Sequence, residues 1–313
     1  MSTVAQLLNL GACEAGSALG MNTDNGCADL LKKAYAVWAT PPSVYFDPDE
    51  DFDLDYIKTL QKAGNLIVIP KITSFVENGN DDALETLEDD TQDLTNQGKY
   101  KFEATLKQGL YTQRALSSMK GFGNWRTWIV DIDGNIFGTQ RSGGGAKGFT
   151  TGAFYPKKLT MPTSTTAMKQ MFWFQLLNRF EVDENYAFFN AATLSFDPRL
   201  VEPVIQAYIT VPNNPADTDT TLTVKIVVDR GRKEAVSGAA FGQFLNTVNG
   251  STSNPTAGSD ASVAGTYPLT VAALSSGQTG TVRLYDNSNN SPIIEIDGYG
   301  LVKSNVAEYT VTS

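Results

Sequence analysis

The sequence predicts a mainly β protein with minor α content, in two parts: an α+β segment over residues 1–200 and a β-sandwich of immunoglobulin-like size over residues 201–313. Three observations lead there. The chain has 313 residues, about twice the ~150 residues of an ordinary domain. Its composition changes near residue 200, where Thr, Ser, Val, Gly and Asn become abundant. Beyond that point, short apolar runs alternate with turn residues at the spacing of a sandwich.

In the first part, CADLLKKAYAVW (27–38) and LDYIKTLQKA (54–63) have helical spacing, and Leu54, Ile57 and Leu60 recur on one face of the second. Gly64 and Asn65 stop that helix. LIVIPKITSFV (66–76) reads as a strand, with Pro70 marking an edge or a bulge. YKFEATL (100–106) alternates as a half-buried strand does. Tyr111, Ala115, Leu116 and Met119 outline one short amphipathic helix. WRTWIVDIDGNIFGT (125–139) is a β-hairpin turning around Asp133, Gly134 and Asn135, and MFWFQLL (171–177) is a further strand.

In the second part the runs are 204–211, 221–228, 266–274, 281–285, 292–296 and 306–312. Six or seven strands in about 110 residues make a sandwich. It lacks the Cys…Trp…Cys pattern of antibody domains. Pro198 and Pro203 flank the expected boundary.

The chain contains no histidine. That excludes Ser-His-Asp and Cys-His triads, histidine general bases and histidine-ligated metals. There are 24 basic and 34 acidic residues, a net charge of −10, which argues against a specific nucleic-acid-binding surface. Cys13 and Cys27 are too few for a disulfide framework. The N-terminus lacks the basic region of a signal peptide, and no run of 18 apolar residues predicts a membrane span.

Four constellations could carry chemistry. GGGAKG (143–148) is glycine-rich, but Lys147 is followed by Gly148 and no helical pattern follows, so a surface loop is expected rather than a phosphate loop. Asp131, Asp133 and Asn135 begin like a calcium loop. The sixth and twelfth positions are Ile136 and Ser142, where Gly and Glu are needed, so a hairpin turn is expected. Paired carboxylates could support glycoside hydrolysis without histidine, but core packing explains most of the tryptophans. Two acidic runs, 47–55 with six acids and 77–93 with eight, contain no base. Solvated loops, divalent-metal binding and a polyanion-repelling lining are the three readings. No constellation reaches the level of a catalytic, cofactor or metal site, and a non-enzymatic role without cofactors is expected.

The stretch from Leu66 to Thr139 runs strand, acidic loop, LETLEDDTQDLTNQGKYKFEATLKQGL, short helix YTQRALSSMKGF, then WIVDIDGNIFGT. In layout it resembles virion structural proteins of tailed bacteriophages, above all tail-tube proteins, across about 75 residues and in domain order. It departs from the simplest of these in its long N-terminal section, 1–65. The resemblance implies a β-sandwich with one inserted helix, followed in some members by a C-terminal Ig-like domain. It further implies polar loops between subunits and self-assembly into rings or a tube with other virion proteins, put together in the host cytoplasm. A lumen lined with carboxylates would let DNA pass without binding it. Asp81, Asp82, Glu85, Glu88, Asp89 and Asp90 are then the assembly or lumen-facing candidates, opposite Lys99, Lys101 and Lys107. A capsid decoration or head-fibre protein is an alternative, and a carbohydrate-binding or host-surface adhesion module is another.

Overall fold

The computed structural model describes residues 2–11, 31–86, 91–229, 233–261 and 263–313. Cys13, Cys27, Glu88, Asp89 and Asp90 lie outside them. The chain divides into two compact units, one of residues 1–60 and 65–201, the other of residues 61–64 and 202–313. The architecture is mainly β with minor α.

The first unit opens with α1 (Val4–Gly11), β1 (Ala34–Thr40) and α2 (Leu54–Lys62). Strands β2 (Ile67–Ile69), β3 (Ile72–Glu77), β4 (Ala83–Thr86), β5 (Gln92–Asn96) and β6 (Lys101–Leu106) follow, then α3 (Leu110–Ser118). The remainder is β7 (Gly121–Asp131), β8 (Ile136–Gln140), β9 (Ala146–Lys147), β10 (Phe149–Pro156), β11 (Gln170–Leu176), α4 (Phe180–Asp183) and β12 (Tyr186–Phe189). All strands except β4 and β5 join one sheet of order β12-β8-β7-β10-β11-β6-β3, with β1 bridging β7 and β2.

Both faces of this sheet are covered. Trp38 and Trp128, cross-strand partners in β1 and β7, point to one side. There they meet Val4 and Leu7 of α1, Ile57 of α2, Phe46, Phe52 and Phe189. Val37 and Ile129, partners one position along, point to the other, where Leu116 and Met119 of α3 pack with Phe149, Phe154, Phe172 and Phe174. Phe46 stacks on Trp128 at 4.3 Å between ring centres and Phe52 on Phe189 at 4.7 Å, distances at which aromatic pairs add to simple burial.

Local chemistry accounts for the helix ends. Thr3 and Gln6 form a capping box, the Thr3 N–H donating to Gln6 and the Gln6 N–H to Thr3. Asp53 caps α2 by accepting from the Tyr56 N–H at 2.8 Å. Gly64, at φ 74°, ends it as expected, and Asn65 donates back to the Leu60 carbonyl. The acidic run 47–55 is thus a pinned connection between buried Phe46 and Phe52 that also supplies a helix cap. Leu54, expected on the buried face of α2, is 38% exposed.

Two expectations are overturned. Residues 27–38 do not form a helix over their described part: 31–33 are irregular and β1 begins at Ala34. Nearly every side chain of β1 is buried because both sheet faces are covered. A strand buried on two sides loses its period-two alternation, and an Ala-rich run then imitates a helix. The single strand expected over 66–76 is two, broken at Pro70 and at Lys71, which has φ 60°. β3 is an edge strand, consistent with that proline.

The second unit contains β13 (Ile205–Thr210), β14 (Thr221–Val228), β15 (Phe244–Val248), β16 (Ser251–Thr252), β17 (Thr266–Thr270), β18 (Thr279–Leu284), β19 (Ile293–Ile296), β20 (Gly300–Ser304) and β21 (Ala307–Thr310). Two sheets, β17-β14-β13-β20-β19 and β16-β15-β18-β21, enclose one apolar core. Leu222, Val224, Ile226 and Tyr267 come from the first sheet, Phe244, Val282, Leu284 and Tyr309 from the second. Buried Tyr267 and Tyr309 donate to the Val236 carbonyl and to Asn246, 2.8 Å each. The unit is a β-sandwich, and each of the six apolar runs overlaps one of its strands, while β15, β16 and β20 lie outside the runs.

Candidate assembly surface

The acidic run 77–93 is not simply a loop. Ala83–Thr86 and Gln92–Asn96 pair as an antiparallel two-stranded ribbon separate from the main sheet, and every described residue of both strands is exposed. Leu84 pairs with Leu94, 56% and 51% exposed, while Glu85 pairs with Asp93. Side chains alternate along a strand, so the leucines share one face and the carboxylates the other. Like charges directly opposite one another destabilise a ribbon. A lone two-stranded ribbon is itself marginal in water.

The root of the ribbon is braced. Asp82 accepts from the Gly98 N–H at 2.7 Å and from Arg179 Nη1 at 2.6 Å. The same guanidinium reaches Asp183 at 2.5 Å, and Asp183 accepts from the Tyr100 hydroxyl. The Gly98 amide, with Arg179 beside it, holds the Asp82 carboxyl below its usual range. Asp183 pushes the Tyr100 hydroxyl up. The two chain segments cross closely here: a Cβ on Gly98 would lie 2.1 Å from the Asn80 carbonyl oxygen, and one on Gly79 would lie 2.4 Å from that of Lys99. Both positions need glycine. Glu77, Asp81, Lys99, Tyr100 and Arg179 line a polar hollow of about 370 Å³ at this root.

The structure therefore brings Asp81, Asp82 and Lys99 together within one chain and leaves Glu85 on the ribbon. Lys101 lines a neighbouring hollow at the same root with Asp81 and Lys99, its ammonium 4.7 Å from the Trp173 ring centre. Lys107 is exposed beyond the far end of β6, about 20 Å from Lys101 at ~3.3 Å per residue.

Sequence reasoning overlooked Arg179 and Asp183, which lie 97 and 101 residues from Asp82. It also overlooked a signal that was present. Residues 104–180 contain ten bases and only two acids, Asp131 and Asp133, whereas residues 1–103 contain seven bases and 18 acids. The chain is segregated by charge within its first part.

The other constellations resolve into structural roles. Asp131 is fully buried. One of its oxygens accepts from the Asp133 and Asn135 N–H groups, both 2.9 Å, and the other from the Lys32 N–H at 3.1 Å and Asn135 Nδ2 at 2.8 Å. This is the organised turn of the β7–β8 hairpin. Glu181, also buried, accepts from the N–H and hydroxyl of Thr150 and pairs with Lys147 at 3.4 Å. Lys147 of the glycine-rich segment is thus in β9 rather than before a helix. A Cβ on Gly145 would meet the Phe46 carbonyl oxygen at 2.3 Å. Among the described residues, no group of three or more Cys, Asp or Glu is placed to hold a metal ion, and no helix is long and apolar enough to cross a membrane.

No protein-family model and no curated protein sequence matches the chain. The functional reading rests on geometry and charge.

Proposed function

We propose that the chain is a non-enzymatic structural subunit that assembles with copies of itself into rings or a tube, as the tail-tube subunit of a tailed-phage virion does. The observation that carries this reading is the β4–β5 ribbon. It exposes a leucine pair on one face and a carboxylate pair on the other, yet its root is fixed by the Asp82–Arg179–Asp183 brace. A braced ribbon with no packing of its own is suited to pack on something else. Acidic runs on the assembled surface would repel nucleic-acid phosphates, as a DNA conduit requires.

The test is replacement of Asp81, Asp82, Glu85, Glu88, Asp89 and Asp90 with the corresponding amides. The variant should assemble less well or begin to retain duplex DNA at low salt, read by sedimentation and gel shift. Unchanged assembly together with unchanged indifference to DNA would sink the reading.

A further inference from the structure

The ribbon's carboxylate face specifies what would cover it: cations against Glu85 and Asp93. One surface of the same unit offers them. Helix α3 buries Leu116 and Met119, and at 100° per residue the opposite side carries Leu110, Tyr111 and Arg114. Leu110 is 61% exposed and Tyr111 44%. Arg114 is exposed, as are Lys107 just before the helix and Lys158 beside it. The Gln113 amide, donating to the Lys157 carbonyl at 3.0 Å, fixes the helix against that neighbouring segment. Glu103 of β6 is paired with Lys157. From residue 104 to 130 the sequence contains no acid.

The geometry points to this α3 face as the docking surface for the β4–β5 ribbon of a second copy of the chain. The inference rests on the self-assembly reading above and names the partner surface within it. The cationic α3 face and the carboxylate face of the ribbon are complementary in charge. Such complementarity sets register and excludes wrong partners. Where the partner does not return the contact through its own ribbon, the interface is heterologous and propagates into a ring or a filament.

The experiment is sedimentation velocity on the full chain at low and high salt, with three variants checked for intact fold by circular dichroism. Lys107→Glu with Arg114→Glu should weaken self-association by about tenfold or more. Glu85→Lys with Asp93→Lys should do the same, and all four changes combined in one chain should restore association toward the wild-type level. If the wild type associates and the face variant associates equally well, this docking surface is wrong while the assembly reading stands. If the wild type stays monomeric at every concentration and salt, the assembly reading itself falls. A face variant that assembles normally but loses binding to a duplex DNA probe would assign the α3 face to nucleic acid and overturn the inference.

Discussion

Asp131→Asn tests the structural account most sharply. The substitution keeps shape and volume but exchanges one acceptor oxygen for an NH₂ group. The oxygen can still serve the Asp133 and Asn135 N–H groups. The NH₂ then faces the Lys32 N–H and Asn135 Nδ2, both donors. Asn135 cannot turn its amide over to help without losing the bond its own oxygen accepts from the Ala191 N–H at 2.9 Å. Two donors are therefore left facing a third. At about 1–3 kcal/mol for each buried group left without a partner, and with the Lys32 amide only partly buried, the loss should be about 2–4 kcal/mol. For a unit of this size, 3 kcal/mol lowers Tm by roughly 6–12 °C. Calorimetry or denaturant unfolding measures it. Millimolar calcium should leave the wild-type transition unmoved, because all four contacts to Asp131 come from the protein's own N–H groups. A loss below about 1 kcal/mol, or a calcium-dependent transition abolished by the substitution, would refute the reasoning.

Three further outcomes are expected. Gly98→Ala, whose Cβ would meet the Asn80 carbonyl oxygen at 2.1 Å, should open the ribbon root, and hydrogen exchange over residues 83–96 should rise while the main sheet stays protected. Because the Asp82 carboxyl titrates below its ordinary value of 3.8, the brace to Arg179 should hold at neutral pH and be lost only as the pH falls beneath that value; Asp82→Asn should abolish this acid-dependent step in exchange of the same residues. A chain ending after Val201, which is buried in the core of the first unit, should fold and still self-associate, whereas loss of association with an intact circular-dichroism spectrum would place the interface in the sandwich.

Where one face of a strand is buried and the other wet, the sequence declares it: residues 101–106 and 221–228 alternate, and both are strands. The β7–β8 turn was equally legible, because Asp133, Gly134 and Asn135 carry the chemistry of a hairpin. Strand β1 was hidden by being buried on two sides, so that Ala34 to Ala39 show no alternation. The ribbon was hidden for the opposite reason. With no buried face in the monomer, nothing disciplines the pattern of ALET and QDLTN. Its acids marked the place, but the brace depends on Arg179, 97 residues from Asp82, a pairing that only the folded sheet creates. The α3 face lay between these extremes. Its absence of acids was countable, while the exposure of Leu110 and Tyr111 required the helix to be packed through Leu116 and Met119.

The central claim is self-assembly, and electron microscopy of the purified full-length protein across a concentration series tests it most directly. The account predicts rings or short tubes of one fixed diameter that fall apart when Lys107 and Arg114 are both replaced by Glu. A protein that remains a dispersed monomer at the highest concentration, or forms aggregates of no constant diameter, would contradict it.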